Sequence, residues 1–106
     1  MKLKGSEKKE LRGLAHGLKP LVQVGKKGLT DELIASVDRA LKDHEVIKVR
    51  FLEYKGEKKV LSETIAAKTG SELAGLIGNV AVFFRPHPDP AKRKIRLSRS
   101  LNLSAQ

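Results

Sequence analysis

The chain is 106 residues long and carries 22 Lys and Arg against 12 Asp and Glu, for a net charge of +10 and a pI near 10.1. That length suits one compact domain with one hydrophobic core, and the lack of cysteine excludes a disulfide framework, a thiolate metal cage and a cysteine nucleophile. No apolar run approaches the roughly 20 residues that cross a bilayer, and Met1 to Ser6 lacks the apolar stretch of a secretory signal, so a soluble cytoplasmic protein without membrane contact is expected.

The excess of positive charge lies at the two ends of the chain. Residues 1–28 hold eight Lys and Arg against two Glu, residues 29–84 hold eight cations against nine carboxylates, and residues 85–106 hold six against one. If folding unites the ends, they form one basic face over a nearly neutral body, suited to a polyanion. A scattered, merely solubilising basic surface would give the same total.

Ser6 caps a predicted helix over residues 7–16, with Leu11, Leu14, Ala15 and Leu18 as its buried stripe and Lys8, Lys9 and Arg12 on the opposite face. Pro20 opens a short strand over 21–24, which stops at Gly25. Thr30 then caps a helix reaching His44, with Asp31 and Glu32 at its positive end and Leu33, Ile34, Val37, Ala40 and Leu41 inward. Residues 46–52 alternate and are β-branched, so strand, helix and strand form a parallel βαβ unit. A third helix is predicted over 58–68, with Val60, Leu61, Thr64 and Ile65 inward and Gly70 at its end. Ser71 caps a further short helix carrying Leu73, Leu76 and Ile77, and Gly78-Asn79 turns the chain into an interior strand over 80–85. Pro86, Pro88 and Pro90 stiffen the next connection, which leads to a last strand over 94–98 with Ile95 and Leu97 on one face. The predicted order is therefore α-β-α-β-α-α-β-β in one domain over residues 1–98, with 99–106 as a flexible tail.

The tetrad Gly25-Lys26-Lys27-Gly28 joins a strand to a capped helix and places two cations where glycine lets the backbone approach a phosphate. Gly75-Leu76-Ile77-Gly78 has the same spacing with apolar centres and reads as a packed helix end without a ligand. In KH domains a loop of the first kind clamps the backbone of a single strand. A solvated turn is the bland alternative. The phosphate-loop pattern of nucleotide hydrolases and the dinucleotide fingerprint are both missing. His16, His44 and His87 lie in separate elements, and no acid/base pair or Ser-His-Asp pattern stands out. Of the aromatics Phe51, Tyr54, Phe83 and Phe84, the phenylalanines sit in apolar runs and read as core. The expectation is a monomeric non-enzyme without metal, cofactor or small-molecule substrate.

Leu14-Ala15-His16, Leu18-Lys19-Pro20, Val24 to Thr30, Ala40-Leu41, His44 to Val49, Ile77-Gly78, Phe84-Arg85-Pro86 and Lys94 to Leu97 stand in an order and spacing that are specific together. In these segments the chain resembles the CRM domain, the chloroplast RNA splicing and ribosome maturation family, in its stand-alone bacterial YhbY-type form. The resemblance implies a single α/β domain whose four-stranded mixed sheet packs with helices, similar to the C-terminal domain of a bacterial translation initiation factor. It implies RNA binding through Gly25, Lys26, Lys27 and Gly28 and the nearby basic surface, with ribosomal RNA in precursors of the large subunit as the partner. Candidate contacts on that surface are Lys8, Lys9, Arg12, Lys19, Arg85, Lys92, Arg93, Lys94 and Arg96. Phe84 departs from the tyrosine that relatives often carry, and the hydroxyl is lost. A generic RNA chaperone, an intron-splicing helper and a basic module that docks an acidic protein are the alternative functions.

Overall fold

The computed structural model describes residues 2–97. Its elements are α1 (Gly5–Ala15), β1 (Val22–Val24), α2 (Asp31–His44), β2 (Val46–Phe51), α3 (Lys58–Thr69), β3 (Glu72–Ile77) and β4 (Val80–Phe84), with 3₁₀ turns at Lys55–Glu57 and Pro90–Lys92. The order α-β-α-β-α-β-β with a four-stranded mixed sheet bears out the α/β class, and two of the predicted elements change type.

The βαβ unit forms as its local signals dictate. The Thr30 hydroxyl accepts from the Leu33 amide at 3.0 Å, capping α2, and Val37 and Leu41 are buried on its inner face. β1 then runs parallel to β2, with Val22 opposite Val49 and Val24 opposite Phe51. The sheet order is β1-β2-β4-β3, so β4 is an interior strand, antiparallel to both neighbours. Alternation along β2 and β4 divides the core. Ile47, Val49, Phe51, Ala81 and Phe83 pack under α2 and α3 with Val37, Leu41 and Ile65. Val46, Val82 and Phe84 pack on the opposite face with Leu3, Leu11 and Ala15 of the α1 region and with Leu97.

Residues 71–77 correct the first expectation, forming β3 in place of a short helix. Gly78-Asn79 is a two-residue hairpin loop between Ile77 and Val80, and Gly78 has a φ of +59° at its first position, where primed hairpin turns favour glycine. A register shift between Leu73 and Gly75 lets Leu73 and Leu76 share the α2 and α3 face, so a bulged strand takes on the apolar spacing of a helix. Ser71 caps nothing; it is buried, and its hydroxyl lies 2.7 Å from that of Thr69.

The expected last strand over 94–98 is also corrected. Residues 94–97 form no strand, and Ser98 lies outside the described residues. The amides of Lys94 and Ile95 donate to the Glu45 carboxylate instead, and the His87 amide does so at 2.7 Å. Glu45 is 2% exposed, adopts a φ of +67°, and takes the Arg85 amide on its own carbonyl at 2.8 Å. One buried acid thus folds the chain after β4 back against the end of α2.

Helix faces also differ in detail. Helix α1 begins at Gly5, and the Glu7 carboxylate caps it by accepting from the Lys4 amide at 2.9 Å, so Ser6 lies within the first turn. Its buried stripe is Glu7, Leu11 and Ala15, while Leu14 and Leu18 are exposed. On α3, Ile65 is buried but Val60 is exposed. Phe84 is buried and packs with Val46 and Val82. Replacing Glu45 with Ala strands three amides at the chain reversal, and thermal unfolding should show a loss of about 3 kcal/mol, with a smaller loss for Glu45→Gln.

Candidate nucleic-acid interface

The parallel pairing sends β1 straight into the glycine loop. The carbonyl of Val24 accepts from the amides of Leu52 and Glu53 at 3.0 and 3.2 Å, tying the start of the loop to the chain that leaves β2. The Gly28 amide then donates to the Gly25 carbonyl at 3.0 Å and the Thr30 amide to the Gly28 carbonyl at 3.1 Å, closing a tight turn onto the α2 cap. Gly28 has a φ of +70°, a conformation that side chains disfavour, whereas Gly25 has ordinary φ and open space where a Cβ would stand. The turn therefore does not require glycine at position 25.

Tyr54 holds the loop from outside. Its hydroxyl donates to the Lys26 carbonyl at 2.6 Å, and its ring lies over Gly28. Tyr54 itself is left-handed, with φ 56° and ψ 38°, a state that costs a non-glycine residue about 1 kcal/mol. Because the peptide is trans, pulling the Lys26 carbonyl toward Tyr54 aims the Lys27 amide the opposite way. The amides of Lys26, Lys27 and Leu29 have no acceptor among the described residues, and Lys26 and Lys27 are exposed. Two exposed lysines and a set of open N–H donors thus lie on one turn at the start of α2, where backbone amides of this kind are chemically suited to an oxyanion. The exposed carboxylates of Asp31 and Glu32 follow in the first helical turn, which favours the loop side over the helix axis.

The other candidate cations do not gather on this loop. Val46 pairs with Phe84 at one end of the sheet and Arg50 with Val80 at the other, roughly 13 Å apart on strand rise. The loop lies at the Arg50 end, whereas Lys92, Arg93, Lys94 and Arg96 follow Phe84 and lie at the Val46 end. Lys8 borders β3 near Glu63 and Glu72, on the sheet edge opposite β1, and Lys9 is exposed on α1. Among the described residues, the single basic face expected from both chain ends is not formed around the loop.

Four of those cations have internal partners, among them Arg93, which donates to the His87 carbonyl at 2.8 Å, and Lys94, which donates to the Asp43 carbonyl at 2.8 Å. Arg12 lies across β3, donating to the Ala74 carbonyl at 2.9 Å, and a Cβ on Gly75 would come within 2.7 Å of its Cδ. Gly75 is thus a seat for Arg12, within a strand and not a helix end. Arg85 donates to Asp38 at 2.6 Å and to the carbonyls of Thr69 and Asp38 at 2.7 and 3.1 Å, joining β4 to α2 and α3. That guanidinium holds the Asp38 carboxyl below its ordinary range. Residues without a role in the sequence reading stand at this end of the sheet: Tyr54 touches the loop, and Arg50 and Lys55 line a groove with Asn79. Lys19 stands on the β1 side, sharing one depression with Lys48 and Arg50 and another with Lys94.

A glycine loop on a capped crossover helix, backed by a mixed sheet, defines a small α/β domain with open amides and two lysines at one corner. A family model described as the CRS1/YhbY (CRM) domain matches residues 3–85, and the chain belongs to that family. It is 36% identical to the probable RNA-binding protein PA4753 of Pseudomonas aeruginosa, over 93% of this chain and 96% of that protein. It is 37% identical to the probable RNA-binding protein YqeI of Bacillus subtilis, over 78% of this chain and 88% of the relative. The solution structure of SAV1595 from Staphylococcus aureus superposes with a TM-score of 0.76 at 35% identity, covering 90% of this chain and all of that one.

The two loop glycines separate turn geometry from ligand access. Gly28→Ala should lower the Tm by roughly 4–8 °C, through about 1 kcal/mol of backbone strain, while Gly25→Ala should leave it unchanged in a thermal melt.

Proposed function

We propose that this protein binds RNA, with the backbone amides and ammonium groups of Gly25-Lys26-Lys27-Gly28 receiving phosphates, and that it performs no covalent chemistry. The observation that carries this reading is the loop itself: N–H groups at Lys26, Lys27 and Leu29 without an acceptor among the described residues, that of Lys27 turned away from Tyr54, with two exposed lysines on the same turn. The names of the Pseudomonas and Bacillus relatives and the net charge of +10 support a nucleic acid as the partner. Among the described residues no group of three or more His, Cys, Asp or Glu is placed to hold a metal, and no helix is long and apolar enough to cross a membrane.

Within that reading, the RNA is ribosomal and the setting is a cytoplasmic precursor of the large subunit, as resemblance to the stand-alone bacterial members of the family suggests. Phosphate contacts confer position and leave base sequence unread, so the loop alone accounts for affinity and not for choice of site. Arg50, Lys55 and Lys19 extend the phosphate path on either side of the loop.

Replacing Lys26 and Lys27 together with Ala should weaken binding to all single-stranded RNAs alike. It should also flatten the log–log salt dependence by up to about 1.4, at about 0.7 per lost phosphate contact. Filter binding over a range of salt concentrations measures the slope, and a slope equal to that of the parent protein would remove the loop from the interface.

A further inference from the structure

The β1 edge of the sheet carries an apolar cleft that phosphate binding does not use. β1 pairs with β2 over only three residues, and the Leu21 amide adds one bond to the Lys48 carbonyl at 3.1 Å before Pro20 leads the chain away. The first residues of β2 are left beside a cleft of about 280 Å³, whose apolar walls include Leu18, Leu21, Ile47 and Ile95 and whose lining includes Lys19 and Lys94. Leu18 and Leu21 are 41% and 54% exposed, two large aliphatic side chains in water side by side with two ammonium groups. The Lys94 ammonium is steadied by the Asp43 carbonyl at 2.8 Å and, with three donors, retains capacity for an anion.

We propose that this cleft is a nucleobase site, occupied by an unpaired base of the same RNA strand whose phosphates rest on the glycine loop; the proposal rests on the RNA-binding reading above. An unpaired nucleotide presents a flat, weakly solvated ring with a phosphate on either side. The cleft offers aliphatic walls to the ring, and Lys19 and Lys94 to the phosphates. Leu21 precedes Gly25 by four residues, roughly 13 Å of extended chain, so one strand running along the β1 edge meets the loop first and the cleft next. Continued in the same direction it reaches Lys92, Arg93 and Arg96, which follow the sheet end away from the loop. The cleft thereby links two groups of cations that the fold has separated. A duplex cannot enter it, because paired bases are stacked inside their helix.

The test uses the full chain and two probes of equal length and charge: a short oligouridylate, and the same ribose-phosphate strand without bases. The parent protein should bind the base-bearing strand roughly fivefold to tenfold more tightly, and Leu18→Ser with Leu21→Ser should erase that preference while leaving the abasic strand's affinity unchanged. Equal affinity of the parent for both probes would overturn the base site, and so would a preference that survives the double substitution. Sedimentation of the same samples provides a second check. A parent dimer converted to monomer by the two serines would assign the cleft to another copy of the chain and overturn the proposal. Failure of the loop reading looks different: the abasic strand would then bind the parent and the Lys26→Ala, Lys27→Ala protein equally.

Discussion

A parallel pair of strands cannot be closed by a tight turn, and this constraint shapes the protein. β1 and β2 run in the same direction, so the chain must leave one end of the sheet, cross it and return, and α2 is that crossover. The loop that starts the crossing has no ladder to satisfy its amides and a helix start directly behind it. Closing the turn consumes the Gly28 and Thr30 amides, and the Thr30 cap consumes that of Leu33. The amides of Lys26, Lys27 and Leu29 are left over, and two lysines on the same turn give them a common preference for negative charge. The corner of open amides is thus a by-product of the topology, and the proposed phosphate site is that corner sharpened by side chains.

Internal partners sort the cations into two populations. Arg12 and Arg85 look like surface charge in the sequence, but each spans elements and satisfies backbone carbonyls, which fixes α1 on β3 and β4 on α2 and α3. Glu45 does the complementary work at the far end, collecting amides from the segment after β4 so that Leu97 reaches the core beside Leu3. Lys26, Lys27, Lys19 and Arg50 have no such partner among the described residues. Charge open to a polyanion is therefore smaller than the formal total, and part of it lies along the β1 edge and the loop end of the sheet.

The parts legible in the sequence are those whose causes are local. Thr30 followed by acids and a 3.6-residue stripe specifies α2, the alternation of Val46 to Phe51 specifies β2, and strand, loop and cap in succession locate Gly25 to Gly28. What misled is equally physical. A bulge at Leu73 to Gly75 gave β3 the apolar spacing of a helix, although Gly78-Asn79 carried a hairpin signal. Ile95 and Leu97 alternate with cations as in a strand, yet extended chain whose amides bind a buried carboxylate has the same pattern. Tyr54 offers no signal at all, since its role depends on a left-handed backbone and a hydroxyl bond 28 residues back along the chain. The placement of the chain ends was a question of topology, and net charge along the sequence carries no topology.

The amide spectrum of the isotope-labelled protein measures most directly whether bare backbone donors at the crossover receive phosphate. On titration with the abasic ribose-phosphate strand, the backbone signals of Lys26, Lys27 and Leu29 should show the largest displacements, because their N–H groups acquire an acceptor they lack in the free protein. Displacements confined to lysine side chains elsewhere, with those three amides unmoved at saturation, would contradict the assignment of the loop as the phosphate site.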